Sequence, residues 1–184
     1  MYGDIRHVGF VSGIMAAGLG AGSEVLQIRW APAVTTQKLA VFGLTFGAAN
    51  DGTAFAAGVA RFNVNKATAW TVAGTGGATL DLSTTRGKLN SDATTYGVPE
   101  VRAATTAALG AGTKTIGLDT AMLMGGVTAV AGAAIFPYPI DFFTNMLLDR
   151  PIILSNQEGL LVSATVPGTG TWRFAGNLLM GAVL

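Results

Sequence analysis

A chain of 184 residues suits one domain, or one domain plus an arm, and a chain of this size buries about 70% of the surface its unfolded form exposes. With no cysteine and 11 Lys+Arg against 10 Asp+Glu in no block of like charge, it excludes thiol catalysis, disulfide scaffolds and cysteine zinc sites, and it lacks the basic stripe of a nucleic-acid binder. Charged residues make up only 11% and hydrophobic residues 50%, with 26 glycines, so the surface either sits in a membrane or meets protein, since ordinary domains carry about 25% charge.

In chain order, Gly18-Leu19-Gly20-Ala21-Gly22 forms a flexible joint. It separates residues 1–22, an N-terminal arm or first strand, from a main domain at 23–184. The stretch 7–14 has strand character. Val8 to Leu19 is mildly apolar, but Asp4 and the interrupting glycines argue against a secretory leader. Glu24–Ala31 alternates cleanly, with Leu26, Ile28 and Trp30 on one side and Gln27 and Arg29 on the other, and Pro32 ends it. Lys38–Phe46 follows, with Phe42, Leu44 and Phe46 on one face. Asn50-Asp51-Gly52 signals a hairpin turn, because Asp-Gly supplies positive φ values. The partner strand is Phe55–Val64, where Ala60, Phe62 and Val64 alternate with Arg61, Asn63 and Asn65.

Ala69–Val72 reads as a short strand. Gly74-Thr75-Gly76-Gly77 and the Ser/Thr/Asn/Asp-rich run 83–95 read as surface loops, which commonly carry contacts. Val98–Ala107 is a strand or a short helix. Thr113–Asp119 and Val127–Phe136 are predicted strands. Asp141 is placed to cap a short helix through Leu148, stopped by Pro151. Pro151–Leu154 and Leu160–Val166 flank a turn at Asn156-Gln157-Glu158-Gly159. Gly168-Thr169-Gly170 is a second turn, and Trp172–Val183 is the last strand. Many short strands between turn signals specify an all-β, antiparallel β-sandwich. A jelly roll is preferred over an immunoglobulin-like sandwich, whose Cys-Trp-Cys pattern is absent.

The longest uncharged stretch lies between Asp119 and Asp141. Its length approaches the roughly 20 residues of a membrane helix. It holds Gly125, Gly126 and Gly132 and ends in Phe136-Pro137-Tyr138-Pro139, which argues against a span. Neither a membrane nor nucleic acid is therefore expected as a partner.

No catalytic, cofactor-binding or metal-binding residues emerge. His7 is the only histidine, near the terminus, and reads as solvated or as an interface residue. The carboxylates are scattered, without a calcium loop or a dyad. Asn50-Asp51-Gly52 lacks alternating oxygen ligands. Gly110-Ala111-Gly112-Thr113-Lys114-Thr115 and Gly87-Lys88 do not follow the phosphate-loop order and read as turns. Trp30 and Trp172 read as core. Trp70, beside the long loops, reads first as a core or subunit-interface residue; the alternative is exposure, where the indole would suit stacking on a sugar ring. The last strand places Trp172, Phe174, Leu178 and Met180 on one face and Ala175, Leu179 and Val183 on the other. A strand apolar on both faces is expected to be covered on both, the second cover coming from another subunit.

The segments Pro151-Ile152-Ile153-Leu154, Gln157-Glu158-Gly159-Leu160-Leu161-Val162 and Gly170-Thr171-Trp172 with its long final strand resemble the end of jelly-roll structural proteins of tailed-bacteriophage heads. Trimeric cement, or decoration, proteins are among them. The resemblance covers roughly residues 150–184, with a looser match in strand order from Glu24. It carries no catalytic residues. It implies a non-enzymatic virion protein on the outer capsid surface, assembled in the host cytoplasm. Its partners would be copies of itself, a trimer being favoured, and the major capsid protein. The alternative is a carbohydrate- or receptor-binding jelly roll of a phage tail or cell surface.

Overall fold

The computed structural model describes residues 2–20, 22–82, 89, 97–129, 140–141 and 151–183; for 2–4, 118–129 and 140–141 only the backbone course is described. Its strands are β1 (Tyr2–Val11), β2 (Met15–Ala16), β3 (Ser23–Trp30), β4 (Lys38–Asn50), β5 (Gly58–Val72) and β6 (Ala78–Thr79), followed by β7 (Glu100–Ala103), β8 (Thr113–Ala129), β9 (Ile140–Asp141), β10 (Ile152–Leu154), β11 (Glu158–Thr165) and β12 (Thr171–Val183).

The strands pair as a nested set. β1 pairs with β12, β3 with β11, β4 with β10 and β5 with β8, all antiparallel. The chain is thus one long hairpin folded back on itself. Wrapping that hairpin brings β12 against β4 and β11 against β5. The result is two sheets, ordered β1-β12-β4-β10 (sheet A) and β6-β7-β3-β11-β5-β8 (sheet B), with β2 and β9 as short additions to sheet A. This is the jelly-roll sandwich expected from the sequence. The long final strand follows from the topology, because β12 lies between β1 and β4 and must pair along both of its edges.

The core between the sheets follows strand alternation. Ala60, Phe62 and Val64 of β5 point inward, as do Leu26, Ile28 and Trp30 of β3 and Trp172, Phe174, Leu178 and Met180 of β12. Phe46 ties the layers together, with its ring 5.2 Å from Phe174 in its own sheet and 4.9 Å from Phe62 across the sandwich. Trp30 and Trp172 bury their rings and satisfy their indole N–H groups on the carbonyls of Gln37 (2.9 Å) and Ala16 (3.2 Å).

One pair of alternatives is decided and two expectations need correction. Of the two alternatives for the N-terminus, arm or first strand, residues 2–11 take the strand: β1 is paired along β12, and Phe10 is buried against Phe46 and Phe174. The glycine joint instead carries the chain from sheet A to sheet B, with Gly18 and Gly22 at φ +75° and +77°. Asn50-Asp51-Gly52 is a turn, with Gly52 at φ +94°, but not a hairpin, because β4 and β5 lie in different sheets. Phe42 does not share a face with Leu44 and Phe46. Gly43 pairs with Leu179 and Val41 with Met180, so Phe42 is the extra residue of a bulge that flips the alternation. Asp141 lies in β9 against Thr45; the helix it was expected to cap, through Leu148, falls outside the described residues, as do most of the loop at 83–95 and the end of the strand expected at Val127–Phe136.

Candidate interaction surface

The outward faces of the two sheets differ in kind. On sheet B, Arg29 donates to the carbonyls of Trp70 and Thr71, both at 3.0 Å, and pairs with Glu100 at 3.4 Å. Arg102 pairs with Glu100 at 3.2 Å and donates to the Gly76 carbonyl at 2.8 Å. A bulge at Val25 turns that residue into the core and sets Glu24 outward, where it meets Gln27 Nε2 at 2.6 Å. This face is a finished, charge-laced surface.

Among the described side chains the outward face of sheet A carries little charge over its middle, while the register sets Asp141 of β9 beside Thr45. The register sets Val11, Ala175 and Gly47 in one row, Gly9, Asn177 and Thr45 in the next, and His7, Leu179 and Gly43 in a third. Val11 is 65% exposed, and Ile14 just beyond it is 47% exposed. Gly9, His7, Ala175, Asn177 and Ala49 are exposed, while Leu179 and Val183 are half-buried. Lys38 stands at one end of β4, and the Asp51–Arg173 ion pair closes the other. A sheet face that meets water ordinarily carries polar residues at these positions. The second apolar face of β12 is therefore present as expected, but within the described residues it is only partly covered.

The residues singled out from the sequence do not converge. His7 is exposed on β1, opposite Leu179, and shares no cluster with acidic groups. Among the described residues no group of three or more His, Asp or Glu is placed to hold a metal ion. The Asn50–Gly52 turn spends its oxygens internally: Asn50 Nδ2 donates to the carbonyls of Thr53 (2.7 Å) and Thr171 (2.9 Å), and Thr171 Oγ1 donates to the Asp51 carbonyl. A crevice lined by Ala48, Phe55, Ala60, Phe62, Val166 and Trp172 has no polar side chain. Gly87-Lys88 lies outside the described residues.

Trp70 is fully buried, the core placement favoured for it over exposure. It packs with Ala67 and Leu161 in a small second core on the outward face of sheet B. Lys114, from the glycine-rich segment read as a turn, roofs it with Nζ 4.5 Å from the ring centroid. Lys114 is anchored in turn on Glu24 at 2.7 Å, the two side chains being 3% and 8% exposed. The sequence signal for this cluster was weak, because its members lie far apart along the chain.

No protein-family model, no curated relative and no solved structure matches the chain.

Proposed function

We propose that this protein is a structural virion component, a cement or decoration protein that binds the assembled capsid of a tailed phage as a symmetric oligomer, a trimer being favoured. The observation that carries the proposal is the small-residue, charge-poor row of Val11, Ala175 and Gly47 on the outward face of sheet A, opposed to the ion-paired Arg29, Glu100 and Arg102 on sheet B. An exposed apolar patch of this kind marks a protein–protein surface. The sequence resemblance of residues 150–184 to phage-head jelly rolls supplies the partner class. Binding to the assembled shell and not to free shell subunits stabilises the shell by mass action. Many modest contacts repeated by symmetry suffice, since buried area alone does not set affinity.

The experiment is thermal release of packaged DNA from shells with the protein, depleted of it, and depleted then replenished. Cement predicts earlier release from depleted shells and recovery on adding the protein back. Identical release from all three preparations would remove the stabilising role. Closure of the purified protein into shells unaided would make it a shell subunit instead. The carbohydrate-binding alternative drew on an exposed Trp70, and that indole is buried.

A further inference from the structure

Several features that disfavour a settled interior meet at Trp70. Its side chain is fully buried, yet the indole N–H has no hydrogen-bond partner, unlike those of Trp30 and Trp172. A buried donor left unpaired keeps its full desolvation cost. Ala69, the preceding residue, stands at φ +49°. Gln157, whose carbonyl accepts the Trp70 backbone N–H at 2.8 Å, stands at φ +61°. Both are non-glycine residues in the left-handed region, where Cβ crowds the backbone. Such outliers persist only where the surroundings hold them in place.

Over the indole lies a short strap, residues 110–114. Lys114 Nζ lies between both Glu24 carboxylate oxygens, at 2.7 and 2.8 Å, donates to the Ala111 carbonyl, and faces the indole. Gln27 Nε2 holds the Gly110 carbonyl at 3.0 Å, and Gly110 exchanges backbone hydrogen bonds with Thr75 at 2.9 and 3.3 Å. The rest of the strap is open: Gly110, Ala111, Gly112 and Thr113 are exposed, and Gly112 takes φ +70°. The ladder beneath it is irregular, since Thr68 pairs with Thr115 but the next pair is Val72 with Thr113. Leu109, just before the strap, belongs to the main core and marks where the mobile unit ends.

We infer that residues 110–114 are a latch over Trp70, fastened by the Lys114–Glu24 pair, which opens as a unit while the sandwich stays folded. Opening hydrates the orphaned indole N–H and returns both buried charges to water. It forfeits the burial of one ring and the ammonium–ring contact. No such compensation exists for opening the main core, whose side chains are apolar and whose tryptophans are already satisfied. The two opening modes are therefore separated in free energy, as in proteins that open by cooperative sub-units.

Hydrogen exchange followed by NMR on the full chain tests this inference. The Trp70 indole N–H and the amides of 110–114 are expected to exchange at least about ten-fold faster than the amides of β11 and β12 and the indoles of Trp30 and Trp172, as sub-global opening requires. Lys114→Met keeps the aliphatic roof but leaves the Glu24 charge without its cation, so it should speed exchange of the first set by about ten-fold or more while leaving the second unchanged. The inference is overturned if the two sets exchange together in the wild-type protein, or if Lys114→Met accelerates both equally. If that variant does not fold, the wild-type hierarchy decides alone.

Discussion

Gly159 lies directly beneath the indole of Trp70. A Cβ built at position 159 would stand 2.6 Å from Cε3 and Cζ3 of the ring and 2.3 Å from the carbonyl oxygen of Ile28. The close approach lets a tryptophan lie flat on the outward face of a central strand, and only glycine permits it. Gly159→Ala has to displace either the ring or the β3 backbone. We expect a loss of about 1–3 kcal/mol, the usual cost of overpacking, read as a lowered urea midpoint with an unchanged slope. A midpoint equal to the wild-type value would show that the indole does not rest on β11.

Strand alternation gives a sharper contrast between adjacent residues. Phe62 is 1% exposed and packs against both Phe46 and Trp172, whereas Arg61 beside it is exposed. Phe62→Ala should cost about 3–5 kcal/mol, as for other buried aromatics. Arg61→Ala should stay within about 0.5 kcal/mol. Comparable losses for the two variants would mean that β5 is set in the opposite register.

How far the sequence reveals this fold depends on whether the information is local. The alternation of Ala60, Phe62 and Val64 against Arg61 and Asn63 is carried by neighbouring residues, and so are the turns at Gly52 and Gly170. The bulges at Phe42 and Val25 are not, because an extra residue becomes visible only against the partner strand. Sheet membership is likewise non-local: Asp51-Gly52 turns the chain in either a hairpin or a crossover between layers. The surroundings of Trp70 were hidden for the same reason. Its neighbours in sequence are loop-like, and the groups that bury it, Gly159, Leu161 and Lys114, come from distant segments. The sheet A face was legible in part, since the apolar residues on both sides of β12 are consecutive in sequence.

The loop after β4 pits a surface ion pair against a hydroxyl. Asp51 and Arg173 form an ion pair with side chains 39% and 48% exposed, so water screens most of its attraction. Thr171 Oγ1 accepts the Thr53 N–H at 2.8 Å and donates to the Asp51 carbonyl, fixing both ends of the turn. Arg173→Ala should therefore cost no more than about 1 kcal/mol. Thr171→Val, which orphans a donor and an acceptor, should cost about 1–3 kcal/mol. A larger loss for Arg173→Ala than for Thr171→Val in thermal melts would reverse this ordering.

Proteolysis should respect the pairing of β1. In the joint Gly18, Gly20 and Gly22 are exposed, and Gly18 and Gly22 have positive φ, so it is the expected cut site in the N-terminal region. Residues 1–17 should nevertheless stay bound after nicking, because β1 is hydrogen-bonded along β12 and Phe10 sits in the core. Native mass spectrometry of the nicked protein should retain the full mass. Release of the peptide without unfolding would show that β1 is a detachable arm.

The assembly proposal makes its own demand on the sheet A face. Val11 is 65% exposed and points away from the core, opposite Ala175. A charge placed there meets only water in the isolated protein, so Val11→Glu should change folding stability by no more than about 0.5 kcal/mol. In an assembly that buries this face, the same carboxylate would be desolvated with no cation in its row, where Ala175 and Gly47 are its neighbours. Burying an unpaired charge costs far more than the methyl contacts it replaces. Val11→Glu should thus melt like the wild-type protein yet fail to sediment with capsid shells and fail to delay DNA release. Arg61→Glu, on the opposite sheet, serves as the matched control: its position is exposed on β5, and shell binding should survive it. Undiminished binding by Val11→Glu would move the shell contact off sheet A, and loss of binding by Arg61→Glu alone would place it on sheet B.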